Sequence, residues 1–342
     1  MSVGAGAQAT AEFPAIIGAG LLRSLVPMAD AIEASRRAFA AAAAGEVTGP
    51  LRSSLSRERV LIMPAEHSSG SGLIKVISVQ PDGWPGGQPS IGGSVLWIDG
   101  PTGRIAALVD AAALTSLRTG AASGLASQLL ARPASRVLAM LGAGGQAADQ
   151  VAGVCAARPI SEVLVYSRRR ERSEELCGQL EASHPGLAAR PARSPAEAVA
   201  GADVICAATR ATEPLFQPAD LRPDAHVNAV GAYRLDMREI PAQSFGQAAI
   251  VVIDQLAAAL AEAGDLVAAL DAGYLRRADL VEIGSLVTGG AVTPAGGLTI
   301  FKSVGIAAQD WSVCELAVRR ARQAGAIPGD DGLAGRPGAG PR

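Results

Sequence analysis

The sequence carries almost no lysine, few aromatic rings, no paired cysteines and no long apolar run. No stretch approaches eighteen strongly apolar residues, and no basic segment followed by an apolar run opens the chain. Neither a membrane span nor a secretory signal is therefore expected, and the protein is expected to be cytoplasmic. The four cysteines, Cys155, Cys177, Cys206 and Cys314, form no C-x-x-C pair, and the three histidines, His67, His184 and His226, show no ligand spacing. Reduced structural thiols and no metal site follow. A formal net charge of −2 gives no basic field for phosphate backbones, so nucleic acid is not an expected partner. Aromatic residues make up only 3% of the chain although 49% is hydrophobic, so the core must rest on Ala, Val, Leu and Ile.

The scarcity of lysine bears on chemistry. Of 30 basic residues, only Lys75 and Lys302 are lysines and all the others are arginines. Where a plain positive charge suffices, such a chain uses arginine. A retained lysine suggests a task that arginine cannot perform, and arginine cannot give up its proton at working pH. The alternative is that either lysine survives by chance.

A length of 342 residues suits two ordinary domains or one large α/β domain. Residues 29–44 have helical composition and end at Gly45. Residues 72–79 (GLIKVISV), 93–98 (GSVLWI) and 104–109 predict strands of an antiparallel sheet, separated by turn-rich segments. Residues 114–131 predict a helix with Thr115 as an early cap, closed by Pro133. From Arg136 strands alternate with helices, as in a parallel sheet covered on both faces. RVLAML, EVLVYS, ADVICAAT, HVNAVG and AIVVID give at least five strands, and SPAE at 194–197 is a capping box with proline in the first helical position. The fold class is thus α/β, with a doubly wound Rossmann domain beside an α+β region.

At the first strand-to-helix turn, Gly142, Ala143, Gly144, Gly145, Gln146 and Ala147 match G-x-G-x-x-A. The first glycine allows the tight turn, the second lets backbone approach a pyrophosphate, and the alanine permits close helix packing. The second strand ends in Tyr166, Ser167, Arg168, Arg169 and Arg170, where NAD enzymes usually place an acidic residue for the ribose 2′-hydroxyl. A guanidinium can pair with a 2′-phosphate, so NADP(H) is favoured, with NAD(H) left open. The alternative is a solvated basic face on the following helix.

Several collinear segments together resemble the ornithine cyclodeaminase and mu-crystallin family: LIKV at Leu73, LTSLRTGAAS from Leu114, LGAGGQA, ADVICAATRATEP, NAVGAYRLDMREI and LTIFKSVGIAAQD. The resemblance implies homodimers with a substrate-binding and dimerisation domain, residues 1–117 completed by 306–330, around a Rossmann domain at 118–305; the composition of the tail GDDGLAGRPGAGPR separately predicts disorder over 331–342. It also implies work on α-amino or α-imino acids, as cyclodeaminase, ketimine reductase or amino-acid dehydrogenase. Carried over residue by residue, it places Arg52, Lys75 and Arg118 around the substrate carboxylate; since an imine needs a proton at nitrogen as hydride reaches carbon, Lys75 suits the catalytic proton donor and the two arginines the clamp. Tyr233 and Arg234 then join the substrate side. Thr119, Thr209, Val230 and Gly231 join the glycine turn at the cofactor, as do Ser303, Val304 and Gly305 near the nicotinamide. Lys302 becomes a charge at the domain hinge.

Cyclodeaminases of the family carry Asp two residues after the glycine of NAVG, whereas here Gly231 is followed by Ala232 and Tyr233. The segment AYRLDMRE instead resembles the ketimine-reductase version. The sequence therefore points to an NADPH-dependent reductase of cyclic or open-chain imines, giving an L-amino acid of proline or pipecolate type. Deaminating cyclisation of a diamino acid, amino-acid dehydrogenation and non-catalytic binding of a small molecule are the alternatives. Which imine is taken is left open, because loops such as Gln80 to Ser90 shape the pocket. Should ornithine be cyclised, Asp236 or Asp310 is the carboxylate to suspect.

Overall fold

The computed structural model describes residues 14–55, 59–80, 90–289 and 296–327. Most of the loop 80–90 and the whole tail 331–342 lie outside the described residues. Two sheets organise the chain. The first holds β1 (Ala15–Ile17), β2 (Val47–Thr48), β3 (Ser53–Ser54), β4 (Val60–His67), β5 (Gly72–Val79), β6 (Ile91–Ile98) and β7 (Ile105–Asp110). Its order is β1-β7-β6-β5-β4-β2, with β3 also on β4, and every pair is antiparallel except β1 with β7. The second holds β8 (Val137–Leu141), β9 (Glu162–Tyr166), β10 (Ala188–Pro191), β11 (Val204–Ala207), β12 (His226–Ala229), β13 (Ile250–Ile253), β14 (Leu280–Glu282) and β15 (Thr299–Lys302). Its order is β10-β9-β8-β11-β12-β15-β13-β14, parallel throughout. Eight strands stand where sequence patterning found at least five. The additional ones are β10, β14 and β15, which are only three or four residues long.

The helices are α1 (Ala19–Leu25), α2 (Met28–Ala43), α3 (Ala111–Leu130), α4 (Ala147–Ala157), α5 (Arg170–Ser183), α6 (Pro195–Val199), α7 (Ala242–Gln247), α8 (Leu256–Glu262), α9 (Gly264–Asp271), α10 (Ile283–Val287) and α11 (Ala307–Gln323). Among the described residues none is long and apolar enough to cross a membrane.

Helix α3 is the axis of the molecule. It begins at Ala111, earlier than expected, because the Asp110 carboxylate accepts a hydrogen bond from the Ala113 amide at 2.8 Å and caps it. Thr115 is therefore an interior residue, not a cap. Unbroken burial from Ala113 to Ser127 shows that α3 has no solvent face over this stretch. It packs on β5, β6 and β7 of one sheet and on β12 and β15 of the other, and so reaches both. A domain boundary at residues 117 and 118 falls inside this helix.

Burial separates the two sheets. In the parallel sheet β8, β11, β12, β13 and β15 are almost wholly buried, as strands covered on both faces should be. In the antiparallel sheet, Leu61, Met63, Leu73, Ile77, Val95, Trp97, Ala107 and Val109 face the helices and are buried. The alternate residues, Ile62, Ile74, Val76, Leu96 and Leu108, stay partly exposed on the far side.

Candidate active site

Lys75 lies mid-strand in β5, between Leu73 and Ile77 on the buried side, and is paired across the sheet with Met63 and Val95. Its ammonium is fully buried and donates to Asp310 Oδ2 at 2.5 Å. Asp310, in the first turn of α11, also accepts from Arg118 Nε of α3 at 3.2 Å through its other oxygen. Arg118 reaches Gln309 Oε1 at 3.2 Å as well. Its guanidinium lies under Gly305, where a Cβ would come within 2.5 Å of it; with φ at +85° that position suits glycine on both counts.

Arg52 completes the cluster. Its Nη2 donates to the carbonyls of Val304 at 2.7 Å and Gly305 at 3.1 Å and lies 3.3 Å from Glu262 of α8. The guanidinium stands over the Tyr233 ring, 5.6 Å from its centroid. The structure thus gathers the sequence-predicted residues Arg52, Lys75, Arg118 and Tyr233 around the segment that ends at Gly305 and the start of α11. Arg234 stands apart: it forks onto Asp236 at the surface.

One buried carboxylate, Asp310, serves two cations, with a third cation nearby. Burial, opposed by Asp310 and reinforced by Arg118 and Arg52, lowers the Lys75 ammonium to about 8. Such a site is short of negative charge and holds a group able to lose a proton near neutral pH. Arg52 Nε and Gln309 Nε2 are buried without a hydrogen-bond partner among the described residues, which leaves donors for an incoming acceptor. Sequence reasoning missed Glu262, whose carboxyl is pushed upward by burial against the pull of Arg52. Nothing in LAAALAE distinguishes a functional glutamate from one on a solvated helix end.

The glycine turn follows β8. Gly142 has φ +104°, and a Cβ there would meet the Ala208 carbonyl at 2.7 Å, so only glycine can leave the strand this way. Gly144 and Gly145 have open space where a Cβ would stand, a cradle for a diphosphate above the start of α4. Beside the turn, Ser167, Arg168 and Arg169 lie between β9 and α5. Arg170 and Arg172 pair with Glu174 and Glu175 along α5, whereas the Arg168 and Arg169 side chains are exposed and make no hydrogen bond or ion pair among the described residues. The residues present thus fit a dinucleotide, with two unpaired guanidiniums where an adenosine ribose would lie.

Two buried carboxylates that sequence reasoning missed shape the rest of this crevice. Glu239 accepts from the Thr209 hydroxyl and from the amides of Thr209, Gly231 and Ala232, locking the turns after β11 and β12. Val230 and Gly231 both donate to the Ala207 carbonyl. Asp254, just past the end of β13, accepts from Ser303 Oγ and from the amides of Val304 and Gly305 at 2.8–2.9 Å. Thr119 returns its hydroxyl to the Thr115 carbonyl at 2.6 Å, as buried helical threonines do. Lys302, expected as a charge at the domain hinge, is fully buried: it donates to the Ala232 carbonyl at 2.6 Å and lies 3.1 Å from Asp265. Among the described residues no cluster of His, Cys, Asp and Glu could hold a metal ion.

Comparison with known proteins bears on this arrangement. The model of the ornithine cyclodeaminase/mu-crystallin family matches residues 3–325. The chain is 34% identical over 322 residues to a Δ1-pyrroline-2-carboxylate reductase of Bacillus cereus, covering 91% of this chain and 97% of that one. It is 33% identical over 301 residues to ketimine reductase mu-crystallin of Mus musculus, covering 86% and 92%. Among solved structures, the Δ1-pyrroline-2-carboxylate reductase of Thermococcus litoralis in complex with NADH and L-proline superposes with a TM-score of 0.86 at 30% identity. That match covers 91% of this chain and 98% of that one.

Proposed function

Since the chain belongs to the ornithine cyclodeaminase/mu-crystallin family, we propose that it is an NADPH-dependent reductase of imines derived from α-keto acids, cyclic or open-chain, which it converts to L-amino acids. The observation that carries this reading is the Lys75, Arg118 and Asp310 cluster, in which a buried lysine of lowered pKa lies beside a guanidinium. An imino acid needs its carboxylate clamped and a proton delivered to nitrogen as the carbon is reduced. Arg118 and Arg52 hold the carboxylate, with the spare donors of Arg52 Nε and Gln309 Nε2 beside them. Lys75 holds the proton, and Asp310 keeps that lysine charged until it is given up. The reduced nicotinamide supplies the hydride. Asp254 fixes the segment from Ser303 to Gly305 that would face the ring.

NADPH is the preferred reductant on this reading because Arg168 and Arg169 are unpaired and a 2′-phosphate would pair with them. The partly exposed apolar face of the antiparallel sheet would pack against a second copy of the chain. The test is a panel of cyclic imino acids, mixtures of keto acid with amine, and free ornithine, assayed with NADPH and with NADH by nicotinamide absorbance. Imine-dependent oxidation of NADPH at least tenfold more efficient than that of NADH is expected; no turnover with any imine would overturn the assignment.

A second reading, deaminating cyclisation of a diamino acid, is favoured by Glu262. It is a half-buried carboxylate beside Arg52, able to take the part that Tyr233 cannot. Asp236 is tied to Arg234 at the surface and Asp310 to Lys75 and Arg118, so neither is available for it. Proline and ammonia formed from ornithine with catalytic NAD(P), at a rate matching the best imine reduction, would favour this reading over the first.

A further inference from the structure

Three helices meet beside the glycine turn at one carboxylate. Asp149 occupies the third position of α4, in the first turn, where a negative charge favours the helix but opposes any anion bound at the same end. It is nearly buried and does not stand alone. Arg23 of α1 clamps it with two parallel hydrogen bonds, Nη1 to Oδ1 at 2.7 Å and Nη2 to Oδ2 at 2.9 Å. The Ser116 hydroxyl of α3 lies between Asp149 Oδ2 and the carbonyl of Gly145, which it approaches to 3.1 Å. Gly145 is the last glycine of the turn itself.

Helices α3 and α4 are in backbone contact here. A Cβ at Gly120 of α3 would fall 2.2 Å from the Asp149 carbonyl, and one at Gly153 of α4 would fall 2.0 Å from the Gly120 carbonyl. Backbones this close cannot slide, so the carboxylate has little freedom to leave the turn. Its charge must therefore be answered where it stands. Arg23 answers it, and the nearby Asp149 and Asp110 carboxylates hold that guanidinium firmly charged.

We infer that Arg23, acting through Asp149, is a positioning residue for the dinucleotide: it cancels the Asp149 charge so that the α4 N-terminus can accept a diphosphate. The inference rests on the reading that a dinucleotide binds at the glycine turn, but not on which substrate is reduced. It also divides the labour among arginines, Arg168 and Arg169 answering for the 2′-phosphate and Arg23 for the diphosphate common to both nicotinamide cofactors.

The test measures binding by calorimetry to the full-length protein with four ligands: NADPH, NADH, ADP and adenosine. Arg23→Ala should weaken NADPH, NADH and ADP by a common factor of about tenfold and leave adenosine, which has no diphosphate, unchanged. Arg23→Lys, which keeps the charge but loses the fork, should bind ADP within about threefold of the unaltered protein. The deciding variant is the pair Arg23→Ala with Asp149→Asn. If Arg23 acts by cancelling the Asp149 charge, removing that charge restores ADP binding even though the salt bridge is gone, an outcome that a merely structural docking role would not give. Failure of the double variant to recover, or equal losses for ADP and adenosine, would overturn the inference while leaving the cofactor assignment standing. Absence of NADPH and ADP binding by the unaltered protein would overturn both.

Discussion

Lys75 and Lys302 are equally buried, one at the centre of the antiparallel sheet and one at the end of a central parallel strand, yet they occupy opposite electrostatic settings. Around Lys75 one carboxylate is shared with Arg118, and Arg52 adds a further positive charge. Around Lys302 lie Asp265, the Ala232 carbonyl and the field of Glu239, with no competing cation among its direct partners. The first lysine is left wanting an anion and the second is satisfied. Burial alone thus does not make a lysine a candidate for proton transfer; the local balance of charge does.

The comparison is broken most severely at Lys302. Lys302→Met should leave Asp265 buried without its cation and destabilise the fold by about 3–5 kcal/mol, read from the midpoint of urea unfolding. A loss below about 1 kcal/mol would mean that the pair is not structural. At Lys75 the damage should fall on chemistry instead. Lys75→Arg retains the positive charge but not a proton that can be released, and kcat for imine reduction should drop about a hundredfold to a thousandfold, with KM changing much less. Near-normal kcat would reassign the proton to water or to Glu262.

A smaller effect sharpens the same contrast through pH. Lys75 must be protonated to donate, so kcat/KM for reduction should decline as pH rises through about 8. Oxidation of the amino acid needs the free amine and should rise over the same range. Because Asp310 raises the Lys75 value while burial and the arginines lower it, Asp310→Asn should move the reductive decline to lower pH. An unmoved profile would show that another group controls it. Least in size, Arg168→Asp should change the ratio of NADPH to NADH efficiency by about tenfold or more, with little effect on the Lys75 profile. An unchanged ratio would return Arg168 to the solvated face of α5.

Much of this was legible in the sequence. Glycines spaced as G-x-G between an apolar strand and a helix point to a phosphate cradle, and the alternation of strands and helices after Arg136 identifies a parallel sheet. The rarity of lysine marked both residues that proved fully buried, although it could not say that one would share its carboxylate with an arginine and the other would not. β4 was missed because Pro64 lies in its middle, and proline argues against an interior strand. The register explains how it is tolerated: β2 pairs with residues 66–67 and β3 with residues 61–62, so Pro64 falls in the gap between two short partners. Glu239, Asp254 and Glu262 were beyond reach for a different reason, as was the pairing of Asp310 with Lys75, although Asp310 itself was a suspect for cyclisation. Each depends on a partner between 30 and 235 residues away, and nothing local in a helix turn or strand end records it. Asp310 is the extreme case, since along the chain its partner Lys75 lies on the far side of the entire glycine-turn region.

The span between Lys75 and Asp310, 235 residues, also matters for how the molecule comes into being. A chain emerging from the ribosome presents Lys75 and Arg118 early, as two cations destined for the same interior, and must complete the whole parallel sheet before their shared carboxylate arrives on α11. Closure of so distant a contact is slow, and until it occurs the first sheet has no reason to bury either charge. The Lys75, Arg118 and Asp310 cluster therefore cannot close before α11 is made, and a chain released before α11 would be unable to assemble it, whatever the state of its glycine turn.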